Sequence, residues 1–334
     1  MKTPCLVSIL IPSLNHARFV DQSIASAVAQ TYPRLELIVV DDGSDDDSIE
    51  VIEGALREWG SRFERCVFVA QRHRGLPATL NRAARLARGD FVSILDSDDV
   101  FLPHKIEALI SSDAWASPQT AVVFGDASFI DECGRPFALE VDFTRDHSGR
   151  TGNATELQFG LASLGRRPAD DELGTYTTLI ETSHIPDGAA LIRSSALQAA
   201  GMFDSRVLTT DYALWLKMSR AWQLVYVDEI VAKKRWHDTN TSLRHRDRMV
   251  RDTVTLLVRE RRHCRDGTLA VVWQRAFVGG VHTILVESTR RDLLALFRCG
   301  SPFATIRDLA RIARDSRRHR RVADARSRAA QSAG

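Results

Sequence analysis

Leu35-Glu36-Leu37-Ile38-Val39-Val40-Asp41-Asp42-Gly43-Ser44 runs through an apolar stretch and then breaks into two acids, a glycine and a serine. A short apolar run closed by a polar turn suits a strand buried on both faces of a parallel sheet. On its N-terminal side, Leu6 to Ile11 is a second such run, ended by Pro12. Between the two, Phe19, Ile24 and Val28 fall near helical spacing. On the C-terminal side, Ser48 to Trp59 reads as a helix and Val67 to Ala70 as a third strand. Pro77 to Arg88 reads as a helix closed by Gly89. Phe91 to Leu95 is a fourth strand that breaks into Asp96-Ser97-Asp98-Asp99, and Pro103 opens another helix. This βαβαβαβ order predicts an α/β fold with a Rossmann-like, mostly parallel central sheet and helices on both faces. Ligands of such sheets bind beyond the carboxyl ends of the strands, so both acidic clusters are expected to reach one crevice.

Beyond residue 120 the pattern changes. Ala121 to Phe124 and Ala127 to Ile130 read as two short strands, and Asp131-Glu132-Cys133-Gly134 as a hairpin turn. Residues 144–185 lack periodicity and contain Gly149, Gly152, Gly160, Gly165 and Pro168, which predicts a long, partly helical loop over an acceptor site. Gly188 to Arg193 is strand-like, Thr210 to Ala221 helical, and Leu224 to Val227 and Ile230 to Ala232 are short strands. From Ser242 to about Arg321 the chain reads as helical. The expected organisation is an α/β domain over 1–240, in halves of about 1–125 and about 126–240, followed by a basic helical extension over 241–334.

The 334 residues suffice for one large α/β domain with an appendage, or for two domains. A net charge of only +2 gives no global field for a nucleic-acid partner. Cys5, Cys66, Cys133, Cys264 and Cys299 are odd in number and widely spaced, which argues against a disulfide framework and for a cytoplasmic compartment. The run Leu6 to Ile11 is too short for a signal peptide. The most apolar long stretch, Val271 to Val286, is interrupted by Gln274, Arg275 and His282, so no membrane span is expected. Phe303, Ile306, Leu309 and Ile312 form a helical stripe beside Arg307, Arg311, Arg314, Arg317 and Arg318. That helix either packs on the catalytic domain or rests peripherally on anionic lipid at the inner face of the membrane.

The acids after the fourth strand carry the chemistry. In a turn, Asp96 and Asp98 converge on one point, and two hard carboxylate oxygens suit Mg²⁺ or Mn²⁺. Such an ion would bridge a diphosphate and neutralise its charge as it leaves. Helix capping is the bland alternative, but capping needs one acid, and three in four residues repel one another without a cation. Asp41 suits a hydrogen bond to a base or ribose hydroxyl, or plain Asp-Gly turn chemistry. Arg72, His73 and Arg74 suit a phosphate or a solvated loop. His237 is either a metal ligand or a surface histidine bonded to Asp238. Trp115, Trp215, Trp222 and Trp236 read as core more than as sugar platforms.

Val7-Ser8-Ile9-Leu10-Ile11-Pro12, Asn15 and Leu37 to Ser44 together resemble the opening of family 2 glycosyltransferases. Gly75, Asn81, Leu95 to Asp99, Gly201-Met202-Phe203-Asp204 and Asp211-Tyr212-Ala213-Leu214-Trp215-Leu216 continue the pattern, which covers residues 5 to about 243. The resemblance implies the GT-A fold, a nucleotide-diphosphate-sugar donor with a UDP-sugar as first expectation, a divalent metal, and inversion at the sugar carbon. It places Pro12, Asn15, Asp41, Gly75, Asn81 and Asp96 at the donor, Asp98, Asp96 and His237 at the metal, and Asp211 as catalytic base. The expected acceptor is a saccharide or a lipid-linked hydroxyl, in polysaccharide or glycolipid assembly. Two departures are visible. Thr210 precedes Asp211 where many relatives carry Glu, leaving Asp211 as the one base nearby. Ala232 stands in the Gln place before Arg235-Trp236, which argues against a processive polymerase.

Three rivals remain at this level. A nucleotidyltransferase would need a Gly-rich first loop with a basic residue, and Pro12-Ser13-Leu14-Asn15-His16 does not supply one. A phosphoacceptor signalling domain would need a lysine at a later strand end and a shorter chain. A non-catalytic nucleotide-sugar binder differs only in activity.

Overall fold

Every residue of the strands β1 (Val7–Ser13) and β2 (Leu35–Asp41) is buried. Fully burying one Val, Leu or Ile side chain contributes about 1.5–3 kcal/mol. Of the polar residues in these strands, Ser8 and Glu36 are paired with each other. Ser8 Oγ donates to Glu36 Oε2 at 2.6 Å, Arg88 N donates to the same oxygen at 2.9 Å, and Arg65 pairs with Oε1. The computed structural model describes residues 5–139, 145–146, 154, 168–265 and 267–287.

β1 pairs in parallel with β2, and β2 with β3 (Arg65–Ala70), through α1 (Val20–Val28) and α2 (Ser48–Trp59). β1 also pairs in parallel with β4 (Phe91–Ile94), reached through α3 (Leu76–Leu86). The carboxyl ends of β1, β2 and β3 are level, with Ser13 opposite Asp41 and Asp41 opposite Ala70, whereas β4 ends earlier, Ile94 lying opposite Leu10. The sheet continues with β5 (Val100–Phe101), α4 (Lys105–Ile110), β6 (Thr120–Ile130), β7 (Pro136–Leu139) and β8 (Arg145–Asp146). Then come α5 (Tyr176–Glu181), β9 (Ala190–Arg193), α6 (Ser194–Ala199), α7 (Thr210–Ser219) and β10 (Gln223–Arg235). The main strand order is β3-β2-β1-β4-β9-β6-β10-β5. Most of it is parallel, as the alternation of strand and helix requires. The exceptions are β9, antiparallel to both β4 and β6, and β5, antiparallel to β10. The expected hairpin at 131–134 joins β6 to antiparallel β7.

Three local expectations are corrected. β6 is one strand, not two. β10 is likewise one strand with register shifts between Tyr226 and Ala232. Gly125 explains both: a Cβ there would lie 2.5 Å from Glu229 O, so glycine lets the irregular part of β10 approach β6. Third, α3 ends at Leu86, with Ala87 already extended (φ −63°, ψ 139°), and so stops short of Gly89.

The described residues fall into two units that divide between Arg244 and His245. The first holds the sheet and α1 to α7, with α8 (Thr241–Arg244) at its end. In the second, α9 (Arg246–Glu260) packs on α10 (Gly267–Glu287), and Trp273 Nε1 donates to Leu257 O at 2.6 Å. Trp273 stacks on Phe277, ring centroids 5.0 Å apart. Among the described residues no helix is long and apolar enough to cross a membrane. The stripe from Phe303 to Ile312 lies outside them, as does most of 144–167.

Candidate functional site

The turn after β4 is held from three sides. Ser23 Oγ on α1 donates to Asp99 O at 2.6 Å. Arg235, at the end of β10 and only 1% exposed, donates from its backbone N to Asp99 Oδ1 (2.7 Å) and from Nε to Asp98 O (2.8 Å). Its other guanidinium nitrogens reach Gln22 Oε1 at 2.8 Å and Asp131 O at 3.1 Å, so one arginine ties α1, the acidic turn and the β6–β7 hairpin together.

On this frame, His237 Nε2 lies 3.0 Å from Asp98 Oδ2, and Asn240 Nδ2 lies 3.2 Å from the same oxygen. Asn240 Oδ1 in turn accepts from His237 N at 2.6 Å. His237 is 1% exposed, so it is a buried partner of Asp98 and not a surface histidine bonded to Asp238. His16, in the loop after β1, places Nε2 at 3.9 Å from Asp98 Oδ2 and Nδ1 at 2.8 Å from Ser97 Oγ. The donor atoms of His16, Asp98 and His237 all lie within 4.8 Å of one another, as do the carboxylate oxygens of Asp96, Asp98 and Asp99. The two sets share Asp98. Clustered carboxylate oxygens and imidazole nitrogens are the donor chemistry a divalent ion takes, so these residues fit one.

The electrostatics match this arrangement. Burial, then the charges of Asp187, Asp99 and Asp98, hold the Asp96 carboxyl well above its ordinary value. Burial and the Asp98 charge push Asp99 up to about 8. Burial also pushes Asp98 upward, but the His237 hydrogen bond and the His16 and His237 charges outweigh it, and Asp98 lies below the usual carboxylate range. Lys234 on β10 faces the same acids. Burial opposes its charge, yet Asp187, Asp99, Asp96 and Asp98 together keep it raised. Asp187 opens a short turn (Asp187–Ala189) before β9, and a Cβ on the next residue, Gly188, would lie 3.8 Å from Asp99 Oδ2.

Asp211 sits in the first turn of α7. Burial, followed by the Asp187 charge, lifts it to about 6, against backbone hydrogen bonds that lower it. A carboxylate tuned there accepts a proton near neutral pH.

At the ends of β1 to β3 the expected donor residues sit in a braced pair of loops. Pro12 is buried at the end of β1. Asn15 has a positive φ of 55°, its N–H donates to Ser44 Oγ (2.8 Å), and its Oδ1 accepts from Asp45 N (2.9 Å). Asp41 accepts from Gly43 N, Ser44 N and Ser44 Oγ, so turn chemistry engages both its oxygens. Asp42 holds the next loop, accepting from Arg74 N (2.9 Å) and Gly75 N (2.8 Å). Asn81 is bound at both ends of its amide by the Phe203 backbone, at 2.9 and 3.0 Å, which fastens α3 to the Gly201–Asp204 turn. Sequence reasoning singled out neither His16, Lys234 nor Asn240. A histidine directly after the strand-end Asn15, and polar residues flanking Arg235-Trp236-His237, were the available signals.

The family model for glycosyl transferase family 2 matches residues 8–198. The chain is 30% identical over 242 residues to an uncharacterised glycosyltransferase of Rickettsia typhi, covering 71% of this chain and 67% of that one. It is 25% identical over 248 residues to a chondroitin synthase of Escherichia coli, covering 74% of this chain but only 31% of the synthase. In structure it is similar to S. aureus TarS in complex with UDP, with a TM-score of 0.56 and 14% identity over 86% of this chain and 77% of that one. It is equally similar to the mannosyltransferase PcManGT of Pyrobaculum calidifontis in complex with GDP-Man and Mn²⁺, with a TM-score of 0.56 and 16% identity over 93% of this chain and 87% of that one.

Proposed function

Because this chain belongs to glycosyl transferase family 2 and has the GT-A fold, we propose that it is a metal-dependent, inverting glycosyltransferase moving a sugar from a nucleotide-diphosphate-sugar to a hydroxyl. The observation that carries the reading is the buried Asp98–His237 pair, together with an Asp211 carboxyl that burial and the Asp187 charge raise to about 6. A divalent ion, Mn²⁺ or Mg²⁺, held by Asp98, Asp96 and His237 would supply positive charge to the departing diphosphate. Pro12, Asn15, Asp41, Gly75 and Asp96 bind the donor. Asn81 serves it by fixing the Gly201–Asp204 turn, since both ends of its amide are engaged by Phe203. Asp211 takes the acceptor proton as the acceptor oxygen forms its bond to the anomeric carbon and the bond to the diphosphate oxygen breaks on the opposite face. The structural neighbour TarS, solved in complex with UDP, favours a UDP-sugar, and the E. coli chondroitin synthase relative favours polysaccharide or glycolipid assembly on a saccharide or lipid-linked acceptor. Residues 1–240 form the catalytic domain, with donor and acceptor halves meeting near 125, and 241–334 an extension. The scattered cysteines and the basic stripe favour a cytoplasmic enzyme seated on the inner face of a membrane.

The test incubates the full chain with UDP- and GDP-sugars, Mn²⁺ and candidate acceptors, and follows nucleotide diphosphate release and the product's anomeric configuration by proton NMR. The reading expects acceptor-dependent release with inverted configuration. Retained configuration would contradict the assigned role of Asp211.

A further inference from the structure

We infer that His16 is a further protein ligand of the metal, adding to Asp98, Asp96 and His237 a second imidazole that selects a first-row transition ion over Mg²⁺. The inference rests on the reading that a metal binds at Asp98. His16 is delivered by a stiff loop. The left-handed turn at Asn15 precedes it, its backbone N donates to Ser48 Oγ at 2.9 Å, and Ala17 N donates to Asp46 Oδ2 at 3.0 Å.

Both imidazoles have a hydroxyl beside Nδ1, and at His237 the Thr239 backbone N also donates to Nδ1 at 3.3 Å while Asn240 Nδ2 lies 3.2 Å from Nε2. His16 Nδ1 lies 2.8 Å from Ser97 Oγ, and His237 Nδ1 lies 2.7 Å from Thr239 Oγ1. Each ring therefore has a hydroxyl on Nδ1 and presents Nε2 to Asp98 Oδ2, at 3.9 Å for His16 and 3.0 Å for His237. Outer hydroxyl partners on one ring nitrogen are how proteins orient the other toward a metal. A separation of 3.9 Å is too long for a hydrogen bond. It does suit two ligands of one ion: with bonds of about 2.1 Å, ligand atoms on one metal stand roughly 3.0–4.2 Å apart. Two imidazole nitrogens beside carboxylate oxygens suit Mn²⁺, Fe²⁺, Co²⁺ or Zn²⁺, whereas Mg²⁺ prefers oxygen ligands and water. His16 thus gives the site a selectivity that the aspartates alone would not confer.

The test uses the full chain, freed of metal and without nucleotide. Mn²⁺ is added, and electron spin-echo modulation counts the imidazole nitrogens coupled to it, while equilibrium dialysis gives Mn²⁺ and Mg²⁺ affinities. Two coupled nitrogens are expected in the unaltered chain and one in His16→Ala. The Mn²⁺ dissociation constant should rise about tenfold or more in His16→Ala and His16→Gln, with Mg²⁺ binding moved by less than about twofold. One nitrogen in the unaltered chain, or unchanged Mn²⁺ affinity in both variants, overturns the assignment. Asp98→Asn separates the two failures. If it abolishes Mn²⁺ binding while the His16 variants do not, only the His16 assignment falls. If the unaltered chain binds no Mn²⁺, the metal reading falls and takes His16 with it. Should the His16 variants not fold, the nitrogen count in the unaltered chain against His237→Ala decides.

Discussion

A carboxylate in the first turn of a helix is ordinarily held in its charged form by the positive end of that helix. At Asp211 burial and the Asp187 charge outweigh that effect, and the carboxyl rises to about 6. Only the deprotonated form accepts the acceptor proton, so activity is low below pH 6 and rises as the pH passes through it. A pH profile of kcat/KM should show an acid limb near that value, and a profile flat down to pH 4.5 would remove Asp211 from the reaction. Asp211→Asn keeps the size and much of the capping ability. It should lower kcat by roughly 10²-fold while donor affinity stays within about twofold. Near-normal turnover in this variant would return Asp211 to a capping role and move attention to Asp187. The structural residues behave differently. Arg235→Ala removes the side-chain strap between α1, the acidic turn and the β6–β7 hairpin and leaves buried acceptors behind, at a cost of about 2–4 kcal/mol in urea unfolding. A loss below about 0.5 kcal/mol would mean the strap is redundant.

At the scale of elements, the strands whose apolar runs are continuous were legible in the sequence, and those interrupted for a packing reason were not. β1, β2 and β4 read cleanly because both faces are buried, which makes each an unbroken run. β6 read as two strands because Gly125 and Asp126 interrupt its hydropathy. Gly125 admits the Glu229 carbonyl, and Asp126 is buried, accepting from Ala127 N and Ala154 N. Asp228 and Glu229 split β10 at the same level. The site divides along similar lines. Asp96, Asp98 and Asp211 could be placed because each stands at a strand end or a helix start. His16 and Lys234 could not, because their importance comes from side chains converging across long sequence separations. The segment leading into α5 offers a direct check. Gly174 has φ +78°, and a Cβ there would meet Leu224 O at 2.3 Å. Gly174→Ala should therefore destabilise by about 2 kcal/mol or more, read as a lower unfolding temperature. An unchanged unfolding temperature would mean this stretch does not dock on β10.

For the whole molecule, the account is of a mostly parallel sheet beside whose strand ends Asp96, Asp98, Asp99, Asp187, Asp211 and Lys234 interact through their charges, with His16 and His237 clustered at Asp98. Ala232 lies on β10, opposite Phe101 of β5, where processive relatives carry Gln. The expectation is transfer of one sugar per acceptor, checked by mass analysis of products under excess donor; a ladder of long polymers would contradict it. The extension carries a separate expectation. Deleting the chain after Ser301 should reduce co-sedimentation with anionic vesicles, and equal sedimentation of both forms would mean the basic stripe does not seat on lipid. The central claim is that the Asp98 cluster binds a divalent ion on which the donor depends. Calorimetric titration of the full chain with a UDP-sugar, in Mn²⁺ and then in EDTA, tests it most directly. The account predicts that donor affinity falls about tenfold or more in EDTA, returns on adding Mn²⁺, and does not return in Asp98→Asn. Equal donor affinity with and without the ion would contradict it.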